Sequence, residues 1–143
     1  MSFDGTAEHT LDAKNRLSVP TRFRSSLSGP IVVAKSTERC ISIWPKDGYD
    51  EYRRAALEGL NPMGQKATKM KRFFAANAHS TELDGTGRVG LPQFLVEHAG
   101  LDREVTVIGA DDHVEIWERK AWLDYNEALT ADVLSISEGL DDD

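Results

Sequence analysis

Only one cysteine, Cys40, occurs among the 143 residues, so an internal disulfide is excluded and a reducing, cytoplasmic setting is expected. The longest apolar runs are far too short to cross a bilayer. Met1-Ser2-Phe3-Asp4 lacks the basic-then-apolar order of a secretory signal. The four histidines, His9, His79, His98 and His113, show no metal-ligand spacing with one another or with Cys40. No serine lies in a nucleophile-elbow sequence. These absences speak against an enzyme, and predict no metal, no cofactor, no small-molecule substrate and no membrane partner.

Basic residues are scarce in one half only. Residues 73–143 hold 4 Lys/Arg against 16 Asp/Glu, whereas residues 1–72 hold 13 against 8. The net charge of −7 therefore conceals a basic first half. Such a split marks a basic working face with an acidic counterpart elsewhere, although uneven drift of surface charge would produce it too.

What the chain does contain is a repetition. Leu11-Asp12-Ala13-Lys14-Asn15-Arg16-Leu17-Ser18-Val19-Pro20 returns as Leu83-Asp84-Gly85-Thr86-Gly87-Arg88-Val89-Gly90-Leu91-Pro92, with Leu, Asp, Arg and Pro in register. Ile41-Ser42-Ile43-Trp44 returns as Val114-Glu115-Ile116-Trp117. A period this long marks a duplicated module. Each copy is too short to bury a good core alone, so the two should pack into one pseudo-symmetric body.

Each module reads as strand, strand, helix, strand, strand. A hairpin is expected in each copy, over residues 5–19 and around its repeat, with Asn15 and Gly87 accepting the turn conformation. A helix should follow with Pro20 or Pro92 at its first position and a glycine at its end. Phe94, Leu95 and Ala99 are expected in the core. Strands over 31–34 with 40–44, and 105–108 with 113–117, complete the copies. Helices are expected over 46–60 and 62–76, the second carrying Met63, Ala67, Met70 and Phe74 on one stripe, and over 118–129. The boundaries are a first module at 5–48, a helical linker at 49–76, a second module at 77–120, and a C-terminal helix with an acidic tail at 121–143, loosely ordered from about residue 131.

Gly85-Thr86-Gly87-Arg88-Val89-Gly90 spells G-x-G-x-x-G, but no buried strand precedes it and the helix starts after it, so a turn explains it better than a dinucleotide site. The specific signal is the pair of Asp-x-x-x-Arg units, Asp12/Arg16 and Asp84/Arg88. Asp can accept hydrogen bonds from turn N–H groups. The arginine either closes an ion pair with it or displays its guanidinium to phosphate or a guanine edge, and both can hold at once. Lys14, Arg22 and Arg24 add charge around the first unit, where the second has Thr86, Phe94 and Val96.

At these two ten-residue motifs, at the Ile43-Trp44-Pro45 and Glu115-Ile116-Trp117 ends, and along the linker from Asn61-Pro62-Met63 to Phe73-Phe74-Ala75-Ala76-Asn77-Ala78, the chain resembles the MraZ family of bacterial transcriptional regulators. The resemblance implies an α+β fold of two tandem AbrB-type swapped-hairpin modules forming an intrachain pseudo-dimeric barrel. It implies a homo-oligomeric ring on double-stranded DNA, associated with the nucleoid. It further implies sequence-specific regulation, often repression, of the chain's own division and cell-wall gene cluster through repeated promoter boxes. By position, Arg16 and Arg88 would face DNA, with Asp12 and Asp84 in support. The family usually has glycine where Asn15 stands, and more arginine where Gln65-Lys66 stands. The rival expectation is a nucleoid-type or protein-binding ring without operator specificity.

Overall fold

The computed structural model describes residues 2–140. Its first half contains β1 (Thr6–Thr10), β2 (Arg16–Ser18), the short helix α1 (Thr21–Arg24) with a 3-10 turn (Ser25–Leu27), β3 (Ile31–Lys35) and β4 (Ile41–Pro45). Helices α2 (Lys46–Leu57) and α3 (Gln65–Ala76) follow. The second half repeats the pattern as β5 (Ala78–Thr81), β6 (Arg88–Gly90), α4 (Gln93–Ala99), β7 (Glu104–Gly109) and β8 (Val114–Glu118), and α5 (Arg119–Ser135) closes it.

The strands form a six-stranded antiparallel sheet in the order β1-β7-β8-β4-β3-β5, and a separate two-stranded ladder of β2 with β6. The order is unchanged when the halves are exchanged. Ile41 pairs with Ile116 and Ile43 with Val114 at the central seam, and Leu17 pairs with Val89 in the ladder. A pseudo-twofold axis thus runs between β4 and β8 and between β2 and β6.

The expected hairpins do not form. β1 and β2 flank one turn but do not pair with each other: β1 joins β7 and β2 joins β6, both from the other half. This exchange sets Leu17 and Val89 side by side in the main core, 0% and 2% exposed. A local pairing would leave each half with too little apolar surface to cover. The sheet is also not closed into a barrel, because β1 and β5 remain its edges.

Side chains alternate across the sheet. Ile31, Val33, Ile41, Ile43, Val105, Val107, Val114 and Ile116 face the ladder, α1 and α4. Val32, Ala34 and Trp44 face α2 and α3, while Ile108 and Trp117 face α5. The molecule therefore has three layers, with the ladder and α5 on opposite sides of the large sheet.

Several local expectations are corrected. Pro20 and Pro92 are extended residues that precede their helices rather than first helical residues, while Pro45 precedes α2 as expected. Phe94 is exposed, because α4 turns Leu95, Val96 and Ala99 inward. Met63 is 92% exposed: Asn61 closes a turn by accepting from Met63 and Gly64, and α3 begins only at Gln65. Ala67, Met70 and Phe74 do face the core. α2 stops at Leu57, and α5 runs helical through Ser135, where Ala128, Leu129, Ala131 and Leu134 are good helix formers. Only the last three tail residues lie outside the described residues.

Candidate nucleic-acid interface

The two Asp-x-x-x-Arg loops have the same geometry. Asp12 Oδ1 accepts from the backbone N–H groups of Lys14 and Arg16, both at 2.9 Å, and its Oδ2 accepts from Arg16 Nε at 2.7 Å. Asp84 Oδ1 accepts from Thr86 N and Arg88 N at 2.9 and 3.0 Å, and its Oδ2 accepts from Arg88 Nε at 3.0 Å. Thr86 also donates its hydroxyl to Asp84. Each loop closes through a backbone bond from the Asp N–H to the Arg carbonyl, and through one from Asn15 or Gly87 N–H to the Asp carbonyl.

The turn requires a left-handed residue just before the arginine. Asn15 has φ 55° and Gly87 φ 79°, so Asn keeps in one loop what Gly supplies in the other. These hydrogen bonds shift the carboxyls. The Arg16 backbone N–H, aided by the Arg16 side chain and the Lys14 N–H, holds Asp12 below its ordinary range. The Arg88 N–H, with Thr86, does the same for Asp84 more strongly.

Each carboxylate engages the Nε of its arginine, leaving the terminal guanidinium nitrogens with no hydrogen-bond partner among the described residues. The ion pair and the display of the guanidinium are thus one arrangement. Both arginine side chains are 35% exposed. In the ladder Arg16 faces Gly90 and Arg88 faces Ser18, on the side opposite buried Leu17 and Val89. A planar donor fork held at Nε and free at its tip suits phosphate oxygens or a guanine edge.

The loops brace each other across the pseudo-axis. Val19 N–H donates to Gly87 O and Leu91 N–H to Asn15 O, both at 3.0 Å. Asn15 Nδ2 donates to Gln93 Oε1 at 3.3 Å. Lys14 is exposed on the first loop. Arg24 donates from Nε to Val19 O at 2.8 Å and packs over Gly87, so a residue of the first half covers the loop of the second. Arg22 lies elsewhere, against Gly5 and over the Phe23 ring. Arg103, which sequence reasoning missed, accepts the Leu11 N–H on its carbonyl at 2.8 Å, at the base of the first loop. Gln93 was missed as well. The fixed register of the repeat points to Val19 and Leu91, but no sequence signal marks Arg103. The described residues contain no cluster suited to a metal ion. No described helix is long and apolar enough to cross a membrane.

A family model described as "MraZ protein, putative antitoxin-like" matches residues 2–73 and again 74–139. The chain is 41% identical over 140 residues to a protein of Salinispora arenicola named transcriptional regulator MraZ, with 96% of each chain covered. It is 36% identical over 140 residues to a protein of the same name from Heliobacterium modesticaldum, covering 98% of this chain and 97% of the relative. A third such protein, from Moorella thermoacetica, is 40% identical over 123 residues, covering 86% of this chain and 85% of the relative.

Proposed function

The chain belongs to the MraZ family, and from that premise we propose that it is a transcriptional regulator that binds double-stranded DNA through the β2–β6 ladder. The observation that carries this reading is the pair of Asp-clamped guanidiniums, Arg16 and Arg88, set on one exposed face with their tips free. Lys14 and Arg24 add positive charge beside them. Arg22, placed against Gly5, would serve as an outlying phosphate contact. The acidic helix α5 sits across the sheet and does not repel the phosphates at close range.

A single ladder offers few contacts. Subunits assembled in a ring would present the ladder repeatedly to repeated promoter boxes, and avidity of about 10²–10⁴ would convert weak sites into a useful operator. Such boxes upstream of the chain's own division and cell-wall genes would make it an autoregulator, most simply a repressor, located with the nucleoid.

The test is fluorescence anisotropy with DNA from upstream of its own gene and with scrambled DNA, each over a salt series. The proposal expects a preference of about 10³ or more for the first, with affinity falling steeply as salt rises. Equal weak binding to both would instead identify a nucleoid-type binder. No binding to either would identify a ring that serves protein partners.

A further inference from the structure

The β2–β6 ladder is twofold in its backbone but not in its side chains. Exchange of the halves carries Asn15 onto Gly87 and Gln93 onto Thr21. Asn15 Nδ2 donates to Gln93 Oε1 at 3.3 Å, across the boundary between the halves. Gly87 and Thr21 have no amide to join. One end of the ladder therefore carries a pair of side-chain amides, and the other end carries none.

The fold does not need that pair. Gly87 closes its loop with the same backbone bonds as Asn15 and without a side chain. Asn15 holds φ 55°, a conformation that glycine enters at less cost. The Leu91 N–H, donating to Asn15 O at 3.0 Å, already ties this end of the ladder together. Gln93, the first residue of α4, is exposed, and α4 is anchored by Leu95, Val96 and Ala99 instead. An amide–amide bond in such a place competes with water and contributes little stability.

What the bond does fix is orientation. With Nδ2 held on Gln93, the Asn15 amide keeps Oδ1 and a second Nδ2 hydrogen with no other partner among the described residues. That is an acceptor beside a donor. Adenine presents the converse in the major groove, the N6 donor beside the N7 acceptor. Guanine presents two acceptors there, and its O6 would meet Oδ1 with no hydrogen between them. Asn15 directly precedes Arg16, at the end of the ladder where Arg16 faces Gly90. Their Cα atoms are about 3.8 Å apart, near the rise of about 3.4 Å per base pair, so the two side chains can address neighbouring pairs.

We propose that Asn15, oriented by Gln93, reads an adenine in the major groove beside the Arg16 contact. Because the amide pair occurs once per subunit, it also gives each subunit a direction on the duplex. Asn15 touches the base, and Gln93 is a positioning residue. This inference rests on the DNA-binding reading above and assigns the base that the ladder selects.

The test is anisotropy on DNA from upstream of the chain's own gene. Each A·T pair of the bound stretch is replaced in turn by G·C, or its adenine by 7-deazaadenine, which lacks the N7 acceptor. For the parent, one A·T pair in each box should lose about tenfold in affinity under either change, with no such pair at the mirror position. Asn15→Gly should bind the unchanged duplex about tenfold more weakly, become indifferent at that pair, and keep the parent's melting temperature. Gln93→Ala should lose most of the preference for adenine over guanine. Gln93→Glu, which keeps the accepting oxygen, should retain the preference while binding every duplex more weakly. An Asn15→Gly variant with the parent's affinity and base preferences would overturn the inference and leave the amides a surface brace. A loss equal on every duplex, scrambled DNA included, would overturn it in favour of a phosphate contact. Two sensitive pairs related by the twofold would overturn the direction. A parent that does not distinguish its own upstream DNA from scrambled DNA would overturn the operator reading itself, and this inference with it.

Discussion

Arg16 and Arg88 lie diagonally across the β2–β6 ladder, each opposite a residue with little or no side chain: Gly90 faces Arg16 and Ser18 faces Arg88. Diagonal neighbours on one face of an antiparallel pair are about 7–8 Å apart. That spacing is close to the separation of successive phosphates along a strand. Two like charges so near each other are tolerable because each has its own carboxylate, at 2.7 and 3.0 Å.

Arg16→Ala and Arg88→Ala should each weaken binding to operator DNA by about tenfold, within the 1–3 kcal/mol expected of a direct contact. The fold should persist, because Asp12 and Asp84 still accept the backbone N–H groups of their loops. Anisotropy over a salt series separates the roles. A phosphate contact lowers the salt dependence by about one ion, whereas a base contact relaxes sequence preference.

Gly87→Ala should destabilise the protein by about 1–2 kcal/mol, because an alanine methyl disfavours a left-handed conformation. It would also come within 2.6 Å of Arg24 Nε and push that side chain off Val19 O. Asn15→Gly should leave the melting temperature nearly unchanged. Thermal denaturation of both variants beside the parent checks the asymmetry.

Acid should release the two loops only below the ordinary carboxylate range. Asp12 and Asp84 titrate below their ordinary value of 3.8, chiefly through backbone N–H donors. Their stabilisation is present above that value and is lost only as pH falls through the lower folded values. Acid unfolding followed by circular dichroism should therefore begin at higher pH in the Asp12→Asn, Asp84→Asn double variant than in the parent.

His113 makes the opposite pH dependence. It stacks on Trp44 with centroids 4.3 Å apart, and its ring nitrogens meet Asp112 and Glu115 at 2.7 and 2.8 Å. Burial pulls its pKa down, but the two carboxylates outweigh burial and the net shift is upward. Its contribution is full below the ordinary value of 6.5 and fades as pH rises through the folded value. Urea midpoints should fall between pH 6 and pH 8.5 in the parent, and fall less in His113→Gln.

The duplication, the order of elements and both loops were legible because the repeat places Asp, Arg and Pro in fixed register. The function of Asn15 was legible for the same reason: its partner position is Gly87, and both have positive φ. The exposure of Met63 was not, since its spacing from Ala67, Met70 and Phe74 fits a helix that in fact starts two residues later.

The amino-acid sequence by itself determined that two like modules exist, that each carries an Asp with an Arg four residues on, and that basic and acidic charge are divided between the halves. These are local or compositional facts, fixed by turn chemistry and residue identity. Strand partnership belonged to the tertiary structure. Nothing between Thr10 and Arg16 says that β2 will leave β1 and pair with β6, yet that choice alone brings Arg16 to Arg88 and Arg24 to Gly87. The physical reason is burial: a half-length module cannot cover Leu17 or Val89 by itself, and exchanging strands across the pseudo-axis lets both halves share one core.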